Sequence, residues 1–128
     1  MRIVIADDNP RTRSVIRELL STEAGWEVCG EAWNGPQTLE KVRELRPDLV
    51  LLDVTMPFPD GLETARQIRL EMPDIKILMV SQHEARELLP SALALGADGC
   101  LDKARIGRDL VNTIKNLPAR QASRRMSS

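Results

Sequence analysis

Five short apolar runs recur along the chain, each followed by a longer stretch of helical periodicity, and this alternation most limits the fold. The runs are Arg2–Ala6, Glu27–Ala32, Leu49–Asp53, Ile75–Val80 and Gly99–Asp102. "LVLL" and "ILMV" are apolar without interruption, the pattern of strands covered on both faces. "WEVCGEA" alternates and suits an edge. Between the runs, Pro10 opens a helix whose apolar stripe is Val15, Ile16, Leu19 and Leu20, stopped by Gly25. A second opens at Gly35-Pro36, buries Leu39, Val42 and Leu45, and ends before Pro47. The third is expected over Leu62–Met72, the fourth over Glu84–Leu95 and the fifth over Ile106–Leu117. Five such units predict an α/β fold, doubly wound, with a parallel sheet, right-handed crossovers and helices on both faces.

A chain of 128 residues supports one domain with a real core. We place that domain at 1–117. We read 118–128, "PARQASRRMSS", as a disordered tail or the start of a linker, with truncation from a longer regulator favoured over a domain that stands alone. Acids and bases are interspersed to a net charge of −1, which points to neither nucleic acid nor membrane as a direct partner. No apolar run approaches the ~20 residues of a membrane span, and "MRIVIADD" turns acidic too early for a signal peptide, so a cytoplasmic protein is expected. Aromatic content is 2%, too little for a base-stacking surface. His83 is the one histidine, which leaves carboxylates, hydroxyls and lysines to carry any chemistry.

In an open parallel sheet, ligands bind outside the carboxyl ends of the strands, where strand order reverses. The first strand ends in Asp7-Asp8, the third in Asp53, the fourth in Ser81 and the fifth in Lys103. Singly, each has a plain explanation: an aspartate as helix cap or turn residue, a lysine as a solvated charge, Ser81 as a cap. Together they make an all-oxygen site for a hard cation, Mg²⁺ or Mn²⁺, which shares its shell readily with phosphate. An aspartate held beside such a cation and a lysine is able to attack a phosphoryl group.

As a set, "ADD" (Asp7, Asp8), "LVLLDVTMP" (Asp53, Pro57), "DGLE" (Asp60 to Glu63), "ILMVS" (Ser81) and "GADGCLDK" (Lys103) resemble the CheY-like receiver domain of two-component response regulators. "DGLETARQIR" and "GADGCLDK" are most similar to receivers that precede a LuxR-type helix-turn-helix output domain. The resemblance implies a flavodoxin-like (βα)5 three-layer sandwich with strand order 2-1-3-4-5. It implies Asp53 as phosphoacceptor, supplied by a sensor histidine kinase. Asp8, Asp53 and the Thr55 backbone carbonyl would ligate Mg²⁺, with Asp7 acting directly or through water. Ser81 and Lys103 would read the phosphoryl oxygens, with Thr55 and Gln82 modulating the pocket. The switching and dimer face would be the fourth helix, fifth strand and fifth helix, and DNA would be reached only through an output domain. The implied order also sets Cys29 and Cys100 on opposite edges, ~19 Å apart, beyond the reach of a disulfide.

Four positions depart from the pattern. Cys100 stands at the switch position, where receivers usually carry Tyr or Phe, and reads as a small core residue or a differently built coupling. Ala104 follows Lys103 where many receivers have proline, so the turn into the fifth helix is expected to differ. Pro90 falls inside the fourth helix and is expected to kink, fray or delay it, with the regular part starting near Pro90 itself. Gln82 is longer than the usual residue at the pocket mouth. His83 reads as a surface residue, and Trp26 and Trp33 as packing or turn residues far from the site.

Three rival functions fit less well. A phosphatase of the haloacid dehalogenase type wants an acid two residues after its nucleophile, where this chain has Thr55. Nucleotide binders want a glycine- or hydroxyl-rich loop after the first strand, and "DDNP" repels phosphate. A pseudo-receiver acting by contact alone would not need all five pocket residues. We therefore read a signalling domain, not an enzyme.

Overall fold

The computed structural model describes residues 1–55, 61–82 and 85–118. The strands are β1 (Arg2–Ala6), β2 (Glu27–Ala32), β3 (Leu49–Asp53), β4 (Lys76–Ser81) and β5 (Gly99–Asp102). The helices are α1 (Pro10–Leu20), α2 (Gly35–Leu45), α3 (Gly61–Glu71), α4 (Ala85–Ala94) and α5 (Ile106–Lys115), with a 3₁₀ turn at Lys103–Arg105 before the last. All pairings are parallel, and the sheet runs β2-β1-β3-β4-β5, the expected doubly wound order.

Alternation along each central strand builds two cores. Leu49 and Leu51, Leu78 and Val80 point to the layer of α1 and α5, where Ile16, Leu20, Leu110 and Ile114 meet them. Val50 and Leu52, Ile77 and Met79 point the other way, onto Leu39, Val42, Ala65 and Ile68 of α2 and α3 and Ala92 of α4. Burying each of these large side chains stabilises the fold by about 1.5–3 kcal/mol. Because both faces are covered, the strands need no polar side, which is why they read as unbroken apolar runs.

Local signals set the helix starts. Asn9 caps α1 by accepting from the Arg11 N–H at 2.9 Å, with Pro10 just inside the first turn. Asn34 does the same for α2 through the Gln37 N–H at 2.8 Å. Gly61 opens α3 against the end of β3: a Cβ there would lie 2.5 Å from the Asp53 carbonyl oxygen and 2.5 Å from Val54 Cα. Only glycine permits that approach.

Several expectations are corrected. β4 begins one residue late, because the Ile75 N–H still closes a turn onto the Met72 carbonyl. α4 does not wait for Pro90: the helix starts at Ala85 and carries through the proline. Pro90 is exposed, so its ring meets solvent and the helix forgoes one backbone bond. Val15 is 48% exposed, because Ile16 and Leu20 already fill the inward line of α1. α5 stops at Lys115, two residues short. Pro57, Asp60, His83, Glu84 and the tail from 119 onward lie outside the described residues.

Candidate functional site

The carboxyl ends of β1 and β3 are adjacent in the sheet, and this places Asp7 and Asp8 beside Asp53. One carboxylate oxygen from each lies within 4.8 Å of the other two. Asp7 and Asp53 are buried, whereas Asp8 is exposed at the pocket mouth. Lys103, at the end of β5, reaches across with its Nζ 3.1 Å from Asp7 Oδ2 and 3.2 Å from Asp53 Oδ2. Four of the five residues picked from strand ends thus meet at one point.

Each buried carboxylate is held on one oxygen by its own loop. Asp53 Oδ1 accepts from the Thr55 backbone N–H at 2.9 Å and from the Thr55 hydroxyl at 2.6 Å. Asp7 Oδ1 accepts from the Asn9 N–H at 2.8 Å. Asp7 Oδ2 is different: it is buried and has no well-directed hydrogen bond, although the lysine ammonium stands near it. Burial pushes the Asp7 carboxyl above its ordinary value, and the Asp53 charge adds to this against the Asn9 bond and Lys103. Burial alone would pull the Lys103 ammonium down, but its close contact with Asp7 and the charges of both aspartates outweigh that and raise it.

This donor set fits a hard divalent cation. Every ligand atom is oxygen, two of the three carboxylates are already drawn in from water, and one buried oxygen, Asp7 Oδ2, has the shared lysine ammonium beside it but no well-directed hydrogen bond. One lysine does not balance three carboxylates, and a doubly charged cation at their centre does.

Ser81 is the last residue of β4, 2% exposed, and directly follows Val80, the pairing partner of Asp53. It therefore sits on the same sheet edge. Gln82 beyond it is exposed. Cys100 is half-buried in β5, opposite Met79, and packs against the α2–α4 core. Burial, followed by the Asp102 charge, pushes its thiol up to about 11, which keeps it protonated at neutral pH. Cys29 and Cys100 are free, on the two outer strands.

Trp26 packs against the α1/α5 core, as expected. Trp33 does not lie apart from the site. The Arg13 guanidinium sits 5.6 Å from its ring centroid and donates to the Asp7 backbone carbonyl at 2.7 Å. Nothing local in the sequence singles out Arg13, a residue of α1 whose side chain reaches back over the first turn. Six residues of separation from Asp7 hide the contact.

No helix among the described residues is long and apolar enough to cross a membrane. The description "Response regulator receiver domain" matches residues 3–115. Response regulator protein VraR of Staphylococcus aureus is 32% identical over 115 residues, 90% of this chain and 55% of VraR. The chain thus spans about half the length of the curated relatives it matches. A LuxR-family two-component response regulator from Aurantimonas sp. SI85-9A1 superposes with a TM-score of 0.84 at 32% identity, covering 89% of this chain and 81% of that one. A LuxR-family DNA-binding response regulator from Staphylococcus aureus superposes with a TM-score of 0.80 at 27% identity, covering 89% and 95%. The sequence match, the strand order and the shared fold agree, and the chain belongs to the response regulator receiver domain family.

Proposed function

We propose that this receiver accepts a phosphoryl group on Asp53 from the phosphohistidine of a sensor kinase, with Mg²⁺ (or Mn²⁺) held at the acidic cluster. The observation that carries the reading is the meeting of Asp7, Asp8 and Asp53 within 4.8 Å, beside a lysine shared by two of them. Asp7, Asp8, Asp53 and the Thr55 backbone carbonyl would hold the cation. When bound, it supplies the positive charge that keeps the carboxylates ionised and gives phosphoryl oxygens a partner.

The transfer itself is carried by the chain's own groups. An Asp53 carboxylate oxygen attacks phosphorus, the P–N bond to imidazole breaks, and its electron pair leaves with the histidine. Thr55 fixes the carboxylate through Oδ1, which orients Oδ2 toward Lys103 and the pocket. As negative charge moves onto the phosphoryl oxygens, Lys103 follows it from the carboxylates, and the Ser81 hydroxyl takes a second oxygen. Thr55 and Gln82 border the pocket and set the access of water.

The product is an altered state of the protein, and so we place the chain among signalling modules of the cytoplasm. The added charge biases two arrangements of the Ser81 loop and the α4-β5-α5 face. With Cys100 at the switch position, that coupling runs without an aromatic ring. Its LuxR-family, DNA-binding relative supports control of transcription through an output domain, and we place pairing with a second copy on this face.

The test is incubation with acetyl phosphate, with and without Mg²⁺, followed by intact mass. One added phosphoryl group, dependent on Mg²⁺ and absent in Asp53→Ala, is the expected result. No adduct and no response to BeF₃⁻ would replace the reading with a pseudo-receiver acting by contact. Sustained phosphate release from a phosphomonoester would make it a phosphatase.

A further inference from the structure

Arg13 is mostly shielded, its side chain 16% exposed, and three different groups hold it. Its Nε donates to Glu31 Oε1 at 3.0 Å, its terminal nitrogen donates to the Asp7 carbonyl at 2.7 Å, and its guanidinium carbon lies over the Trp33 ring, 5.6 Å from the centroid. Glu31 is anchored from the far side by Arg17, and its strand position pairs with Ile5 of β1. The adjoining link is equally firm: the Asp7 N–H donates to the Ala32 carbonyl at 3.0 Å.

The Asp7 carbonyl belongs to the peptide plane that joins Asp7 to Asp8. Because that plane is rigid, fixing its oxygen fixes the directions in which both residues leave it. We propose that Arg13 is a positioning residue for the divalent cation: it locks the Asp7–Asp8 peptide so that both carboxylates converge with Asp53, and β2, through Glu31 and Trp33, is the support. This rests on the reading of the acidic cluster as a Mg²⁺ site. A guanidinium suits the task because its planar fork serves two acceptors and a ring face together.

Electrostatics gives the proposal a sign. A cation beside a cation site repels the ion, so removing the Arg13 charge should tighten Mg²⁺ binding if charge alone mattered. Positioning demands the opposite. The test is titration of the full chain with MgCl₂, followed by calorimetry and by tryptophan fluorescence, with folding checked by circular dichroism in EDTA.

Arg13→Gln is expected to weaken Mg²⁺ about tenfold, the scale of a lost outer-shell support. Arg13→Lys should recover part of the loss, because an ammonium still reaches the carbonyl but not the whole fork. Glu31→Gln, which keeps Arg13 and loosens it, should weaken binding measurably but less than Arg13→Gln does. Unchanged or tighter binding in folded Arg13→Gln overturns the proposal. If that variant does not fold, unchanged binding in Glu31→Gln overturns it. Wild-type protein that binds no Mg²⁺ overturns the site reading, and the positioning role with it. Binding in the wild type with no response to the variants overturns the positioning role alone.

Discussion

Two ion pairs are drawn in from water at opposite ends of the same sheet, and they are built to different standards. At the amino end, Arg69 meets Asp98 at 3.0 Å, with side chains 14% and 5% exposed. At the carboxyl end, Lys103 meets Asp7 and Asp53, with side chains 15%, 2% and 0% exposed. The burial is alike, but the satisfaction is not. Arg69 spends its other nitrogens on the carbonyls of Gly96, Pro73 and Ile75, and Asp98 also accepts from the Ile77 N–H at 2.8 Å. Around Lys103, one cation serves two buried carboxylates with a third at the rim, and Asp7 Oδ2 is left without a well-directed bond. The first arrangement fastens the α3–β4 and α4–β5 turns together, while the second keeps a surplus of negative charge for a ligand to relieve.

The contrast can be broken most forcefully at its structural end. Arg69→Met should cost about 3–5 kcal/mol, the range for stranding one partner of a buried pair, read from urea denaturation. The shift should be the same with and without Mg²⁺. The carboxyl end should respond to ligand instead. Mg²⁺ at 100 times its dissociation constant is expected to stabilise the wild type by about 2.7 kcal/mol, and Asp53→Asn should lose most of this. Equal stabilisation of both proteins would remove Asp53 from the cation's ligands.

Asp7→Asn is expected to stabilise the metal-free protein by about 1–2 kcal/mol, the scale of one badly satisfied buried group, while weakening Mg²⁺. The gain has a pH sign. Asp7 is raised above its ordinary value by burial. What the protonated group contributes to folding is present below that ordinary value and lost as pH rises through the folded one. Asparagine should therefore stabilise at neutral pH in EDTA and lose its advantage in acid. The smallest change is Thr55→Val, which removes one of two bonds on Asp53 Oδ1. It should cost under about 1 kcal/mol and speed labelling by acetyl phosphate, followed by mass against time.

The carboxyl-end site was legible because a doubly covered parallel strand is apolar until it leaves the sheet, so its first charge marks the edge. Asp7 and Asp53 announce themselves in that way, and Lys103 follows one residue after the first charge of β5, Asp102. The amino-end clasp gives no such mark. Arg69, in the last turn of helix α3, and Asp98, in the turn before β5, stand 29 residues apart and look like ordinary surface charges. Arg13 was hidden for the same reason, since a long side chain makes its contacts far from its own backbone. Val15 misled through periodicity, because four apolar residues satisfy the stripe and only some of them find a neighbour. Pro90 misled through propensity, where one lost backbone bond on an exposed face was less costly than interrupting α4 over its core contact at Ala92.

Gly61 carries the last consequence. Its Cα is seated so tightly on the Asp53–Val54 backbone that the base of α3 and the ledge beneath Asp53 behave as one mechanical part. A side chain at position 61 would have to push α3 off the end of β3, so Gly61→Ala should disturb the ledge beneath Asp53 before it disturbs either core.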